Sequence, residues 1–180
     1  MEKEQMDEWQ SFRVEAVQLV HTGWPLGKGR KMFQLIILPS FQNSISWELI
    51  QTGMPSDATL HNEREFTVVR TTWRMEVDIE KFRTPIERLR FPRPLKPTME
   101  QTQWPAKTED ADRWINQFAA ALPSSAPVRH KSIGVDGTDL QFSFGNSLFK
   151  WWYRAPTEWT ALEERFTATF HDFEAIAKNA

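Results

Sequence analysis

Residues 136–152 read DGTDLQFSFGNSLFKWW, and this stretch decides the fold. Gly145-Asn146 is a Gly-X dipeptide of the kind that closes a two-residue hairpin, and Asp136-Gly137 is a second hairpin signal upstream. Together they predict three antiparallel strands. With a two-residue loop at Gly145-Asn146, Phe144 faces Ser147, Phe142 faces Phe149 and Leu140 faces Trp151, which gathers the large apolar side chains on one side of the hairpin.

Successive strand residues point to opposite sides, so a buried Trp151 sends Trp152 to the other face, flanked there by Lys150 and Arg154. The same register sets Asp139 opposite Trp152 and Gln141 opposite Lys150, while the Asp136-Gly137 turn puts His130 beside Ser143. Trp152, Lys150, Arg154, Asp139, Gln141 and His130 therefore form a candidate binding face, since a tryptophan among charges can stack on a sugar, a base or a partner side chain. The competing reading is structural: neighbouring loops cover the indole and Asp139 pairs diagonally with Arg154.

Downstream, Pro156 and Glu158 open a final helix whose apolar stripe is Trp159, Leu162, Phe166, Phe170, Phe173 and Ala177. It should lie on the apolar face of the hairpin. Upstream, Thr108 is expected to cap a helix with an acidic first turn and the stripe Ala111, Trp114, Ile115, Phe118 and Leu122, ended by Pro123.

Residues 32–38 are almost continuously apolar, as in a central strand covered on both faces. In 44–51, Ile45, Trp47 and Leu49 alternate with Ser46 and Glu48, the pattern of a strand with one wet face. Alternation also runs through Trp73, Met75, Val77 and Ile79, out of phase with Phe66 and Val68, so one long strand with a bulge near Val69–Thr71 is expected. Residues 11–20 fit two periods; the alternation of Phe12, Val14 and Ala16 favours a strand over a helix carrying Phe12, Ala16 and Leu19, with 21–30 as the loop of a hairpin. Residues 84–107 hold Pro85, Pro92, Pro94, Pro97 and Pro105, which reads as a long surface connection.

The expected fold class is α+β: a single antiparallel, meander-rich sheet of about six or seven strands with two packed helices. One domain spans 1–180, and any subdivision would fall near 84–107. Nine tryptophans and thirteen phenylalanines stand beside one tyrosine. Each large aromatic can bury ~150–250 Å², worth about 4–6 kcal/mol before entropy, so most must be core.

A net charge of −2 gives no bulk attraction to nucleic acid or anionic membrane. The absence of cysteine excludes thiolate catalysis and cysteine-ligated zinc. No signal-peptide run follows the acidic N-terminus, and Leu35–Leu38 falls far short of a membrane span, so a cytoplasmic protein is expected.

A basic strip, Lys81, Arg83, Arg88, Arg90, Arg93 and Lys96, is opposed within 81–96 only by Glu87. It could meet an acidic partner or a phosphate backbone, but its prolines favour a solvated connector. The glycines of 23–29 miss the phosphate-loop spacing, lack a hydroxyl after Lys28 and precede a strand. His21, His61, His130 and His171 never take metal-pair spacings, and no Gly-x-Ser-x-Gly elbow occurs, so no metal, cofactor or catalytic residue is assigned.

Asp136-Gly137, Trp151-Trp152, Pro156, Glu158-Trp159 and Leu162 together resemble a pattern found in uncharacterised bacterial α+β proteins, some of them regarded as immunity-like or other interaction proteins. The likeness covers about 30 residues and implies binding rather than catalysis. A non-enzymatic interaction protein is the expectation, with a hydrolase or ligand-binding enzyme whose site converges from distant residues, and an aromatic-platform carbohydrate binder, as alternatives.

Overall fold

The computed structural model describes residues 3–23, 29–40, 42–52, 64–82, 95–123 and 137–179. Helix α1 (Lys3–Thr22) leads into β1 (Arg30–Pro39), β2 (Ser44–Gln51) and β3 (Phe66–Trp73); then come α2 (Met75–Lys81), β4 (Met99–Ala106), α3 (Thr108–Ala121), β5 (Thr138–Phe144), β6 (Ser147–Trp152), a 3₁₀ turn (Thr157–Trp159) and α4 (Thr160–Asn179). The six strands make one antiparallel sheet in the order β4-β3-β2-β1-β5-β6. Strands from both sides of the proline-rich stretch share it. The first four form a meander, and the β5–β6 hairpin adds to the free side of β1.

β1 is central and covered on both faces, because its alternate residues meet different layers. Phe33 and Leu35 pack with α3 and α4, against Phe118 and Phe173. Ile36 joins a second cluster with Phe12, Ala16 and Val20 of α1 and Trp73 of β3. The final helix buries Leu162, Phe166 and Phe173 on the hairpin and its neighbours, with Trp151 edge-on to Trp159 and Phe166. Trp114 Nε1 donates to Asp172 Oδ2 at 2.7 Å and ties α3 to α4.

Four elements depart from the sequence reading, each for an identifiable reason. Residues 11–20 belong to a helix: Phe12, Ala16 and Val20 are spaced four apart and buried, whereas Val14 is 60% exposed. Two of the three residues that suggested alternation also lie on the helical stripe, so the shorter pattern misled. The wet face expected of β2 is dry, since α1 lies over it and Ser44, Ser46 and Glu48 are buried.

β3 ends at Trp73 without a bulge; its pairing to β2 and β4 runs unbroken. Met75–Lys81 is a helix of about two turns that buries Met75 and, in reverse of the strand expectation, buries Asp78 and exposes Val77 and Ile79. Asp78 explains why: its carboxylate accepts Trp73 Nε1 (2.8 Å), Thr98 N (2.8 Å) and Thr98 Oγ1 (2.6 Å) and pairs with Lys81 at 2.5 Å. A buried charge of this kind needs several partners, and only a helix brings Lys81 to it. Finally, Met99–Ala106 is a strand despite Pro105, because β4 is an edge, where a missing N–H goes unnoticed.

The cap of α3 also differs. Lys107 occupies the cap position without a side-chain hydrogen bond, and Thr108 Oγ1 donates instead to the Arg64 carbonyl at 2.9 Å. No described helix is long and apolar enough to cross a membrane.

Candidate functional site

The β5–β6 hairpin takes the register that its two-residue loop requires: Phe144 with Ser147, Gln141 with Lys150, Leu140 with Trp151 and Asp139 with Trp152. Gly145 has φ +57°, a conformation that suits glycine at the first loop position. Phe142, Phe149 and Trp151 are buried under α4, and Leu148, Lys150 and Trp152 occupy the opposite face.

Trp152 is half-buried because its indole lies on Gly137, where an added Cβ would come within 2.7 Å of ring carbons. Gly137 is fixed in turn by Ser40 at the end of β1: the Ser40 N–H donates to its carbonyl at 3.0 Å, and the Ser40 hydroxyl donates to the same carbonyl at 2.9 Å. The seat of the indole is thus tied to the end of β1. Asp139 accepts Gln141 Nε2 at 2.9 Å rather than pairing with Arg154. Burial pushes the Asp139 carboxyl above its ordinary value, against the opposing pull of Gln141 and Lys150.

One member of the predicted face needs correction, and another lies outside the described residues. Arg154 does not share a face with Lys150 and Trp152, because the strand ends at Trp152 and Tyr153 takes φ +61°. The Arg154 N–H turns back to the Trp152 carbonyl at 2.6 Å, and its exposed guanidinium lies 5.8 Å over the Tyr153 ring. His130 lies outside the described residues, and the place beside Ser143 assigned to it is filled by Gln34 of β1. The strand expected before Asp136-Gly137 likewise lies outside the described residues; the two neighbours of β5 are β1 and β6.

The histidine that does approach this face is His21, at the end of α1. Its ordinary pKa is lowered first by burial and then by the nearby Lys150 and Lys31 cations, with Asp139 opposing. Gln34 anchors this helix end: its Nε2 donates to the His21 carbonyl at 3.0 Å and to Ser46 Oγ at 2.8 Å. Gly23 follows with φ +67°, donating to the Leu19 carbonyl at 3.1 Å, and sits against the carboxylate of Glu48, which is fully buried and paired with Lys31.

Sequence reasoning missed three residues here: His21, because its helix was read as a strand, and Leu148 and Tyr153, which are 48% and 68% exposed. The register already placed Leu148 beside Lys150; only its lack of cover was hidden. Tyr153 carried no local signal, since a positive φ is rare for a non-glycine residue and marks strain held by its surroundings.

Of the basic strip, Lys81 is drawn into the Asp78 network and also donates to Thr98 Oγ1 and the Lys96 carbonyl. Its role is structural. Lys96 is exposed, and Arg83, Arg88, Arg90 and Arg93 lie outside the described residues. Among the described residues no group of histidine and carboxylates is placed to hold a metal ion. His171 is exposed on α4 beside Phe170, and His61 lies outside the described residues. Comparison with protein-family models, with curated proteins and with solved structures returns no match.

Proposed function

We propose that this chain is a non-enzymatic binding protein that docks a macromolecular partner, in the manner of an immunity protein, on the β5–β6 face around Trp152. The observation that carries it is the exposure of Leu148 on a terminal strand and of Tyr153 just past its end, beside a half-buried Trp152 and the exposed cation Lys150. Apolar side chains rimmed by charge, on an otherwise well-packed sheet, are the usual makeup of an interaction surface. The polar groups behind them already serve the fold, Gln34 at the end of α1 and Gln141 on Asp139, which favours recognition over chemistry.

A photo-reactive amino acid at Leu148 tests this in the cell of origin, with the same label at the exposed Ala168 of α4 as control. One discrete adduct is expected from position 148 and none from 168. The cross-linked protein, purified, should then bind in calorimetry, and Trp152→Ala with Tyr153→Ala should weaken it at least about tenfold, as central aromatic anchors do. No adduct at 148, or an affinity indifferent to both aromatics, would refute the proposal.

A further inference from the structure

The backbone of β6 narrows what this face binds. In a hairpin closed by two residues, the pair flanking the loop exchanges both backbone hydrogen bonds, and every second pair after it does the same. Ser147, Phe149 and Trp151 therefore direct their N–H and C=O groups to β5, and the Tyr153 N–H continues the series by donating to the Thr138 carbonyl at 3.0 Å. Leu148, Lys150 and Trp152 direct theirs off the sheet. The Trp152 carbonyl is occupied by the Arg154 N–H where the chain turns back at Tyr153. Both backbone groups of Leu148 and Lys150, and the Trp152 N–H, remain aimed outward from the last strand of the sheet.

The side chains on the candidate face belong to these same residues. A strand added here would meet Leu148, Lys150 and Trp152 with its own alternate residues. The charge is one-sided: from Thr138 to Arg154, Lys150 and Arg154 are exposed, and the one carboxylate, Asp139, is engaged by Gln141. A second copy of this chain is a poor occupant, because pairing β6 with itself so that Leu148 meets Trp152 sets Lys150 against Lys150. The opposite edge, β4, is blunted by Pro105, and its Glu100 is paired with Arg74.

We infer that β6 accepts an acidic, extended segment of a partner protein as a seventh strand, with an Asp or Glu opposite Lys150 and apolar residues opposite Leu148 and Trp152. This rests on the β5–β6 face being the binding surface. The segment engages about five residues in an alternating pattern, apolar-x-acid-x-apolar. Tyr153 ends the pairing by closing off the Trp152 carbonyl.

The test uses a phage-displayed library of random peptides selected on the immobilised full chain. Selected peptides, synthesised and titrated into the ¹⁵N-labelled protein, are expected to carry the apolar-x-acid-x-apolar pattern. They should slow exchange of the Leu148 and Lys150 amides and leave that of Phe149, already bonded to β5, unchanged. Lys150→Glu should weaken binding about fivefold, from an opposite-charge to a like-charge cross-strand pair, and Arg165→Glu on α4 should not. Selection of no peptide, of peptides without the central acid, or of peptides that leave the Leu148 and Lys150 amides exchanging as before would overturn the inference. In each of those cases an adduct at position 148 would still stand, showing a partner that docks by a folded surface instead.

Discussion

Asp78→Ala is the perturbation that most sharply tests the account of this fold. The carboxylate is fully buried and receives Trp73 Nε1, the Thr98 N–H, the Thr98 hydroxyl and the Lys81 ammonium, whose side chain is itself only 12% exposed. Removing it leaves the largely buried Lys81 cation without its counter-charge, held only by Thr98 Oγ1 and the Lys96 carbonyl, and takes the acceptor from the buried Trp73 Nε1 and the part-buried Thr98 N–H. Breaking a buried ion pair by deleting one partner costs about 3–5 kcal/mol. That is a large part of a typical stability of about 5–15 kcal/mol. With a urea slope of about 2 kcal/mol per molar, the unfolding midpoint followed by tryptophan fluorescence should fall by about 2 M with the slope unchanged. Thr98→Val removes one hydroxyl from the same network and should cost about 1 kcal/mol. A midpoint shift for Asp78→Ala under about 0.5 M would refute the reasoning, because it would mean that Lys81 and the two donors find water or other partners.

Two further outcomes follow from the end of α1. Gly23→Ala should destabilise by more than the ~1–2 kcal/mol cost of a left-handed L-residue, because the new Cβ meets the buried Glu48 carboxylate. Gly145→Ala, at φ +57° with no atom within 4 Å of the new Cβ, should show the conformational cost alone, and equal losses in urea unfolding would refute the Glu48 contact. For His21, burial lowers the folded-state pKa below 6.5, so the unfolded chain binds the proton more readily. The stability associated with neutral His21 is full above 6.5 and lost as pH falls through the folded value; His21→Gln should flatten that slope in urea midpoints measured across the window.

The hairpin was legible because its determinants are local. Gly145-Asn146 dictates the loop, the loop dictates the register, and alternation then assigns Trp151 and Trp152 to opposite faces without reference to any other part of the chain. The same holds for α3 and α4, whose stripes repeat over several turns. Where two periods shared residues, as at Phe12 and Ala16, the pattern could not decide. Where a strand carried a proline, as β4 carries Pro105, a local rule against regular structure was overridden by the strand's place at an edge.

The amino-acid order by itself determined an antiparallel α+β sheet and the facing of its last two strands, because hydrogen-bonded turns and side-chain periodicity act over a few residues. Only the tertiary structure decided what covers each face. α1 makes the serines and Glu48 of β2 interior, Gly137 supports Trp152, and β1 fills the inner side of β5. Those contacts join segments far apart in the chain, and burial, unlike periodicity, depends on what arrives from elsewhere.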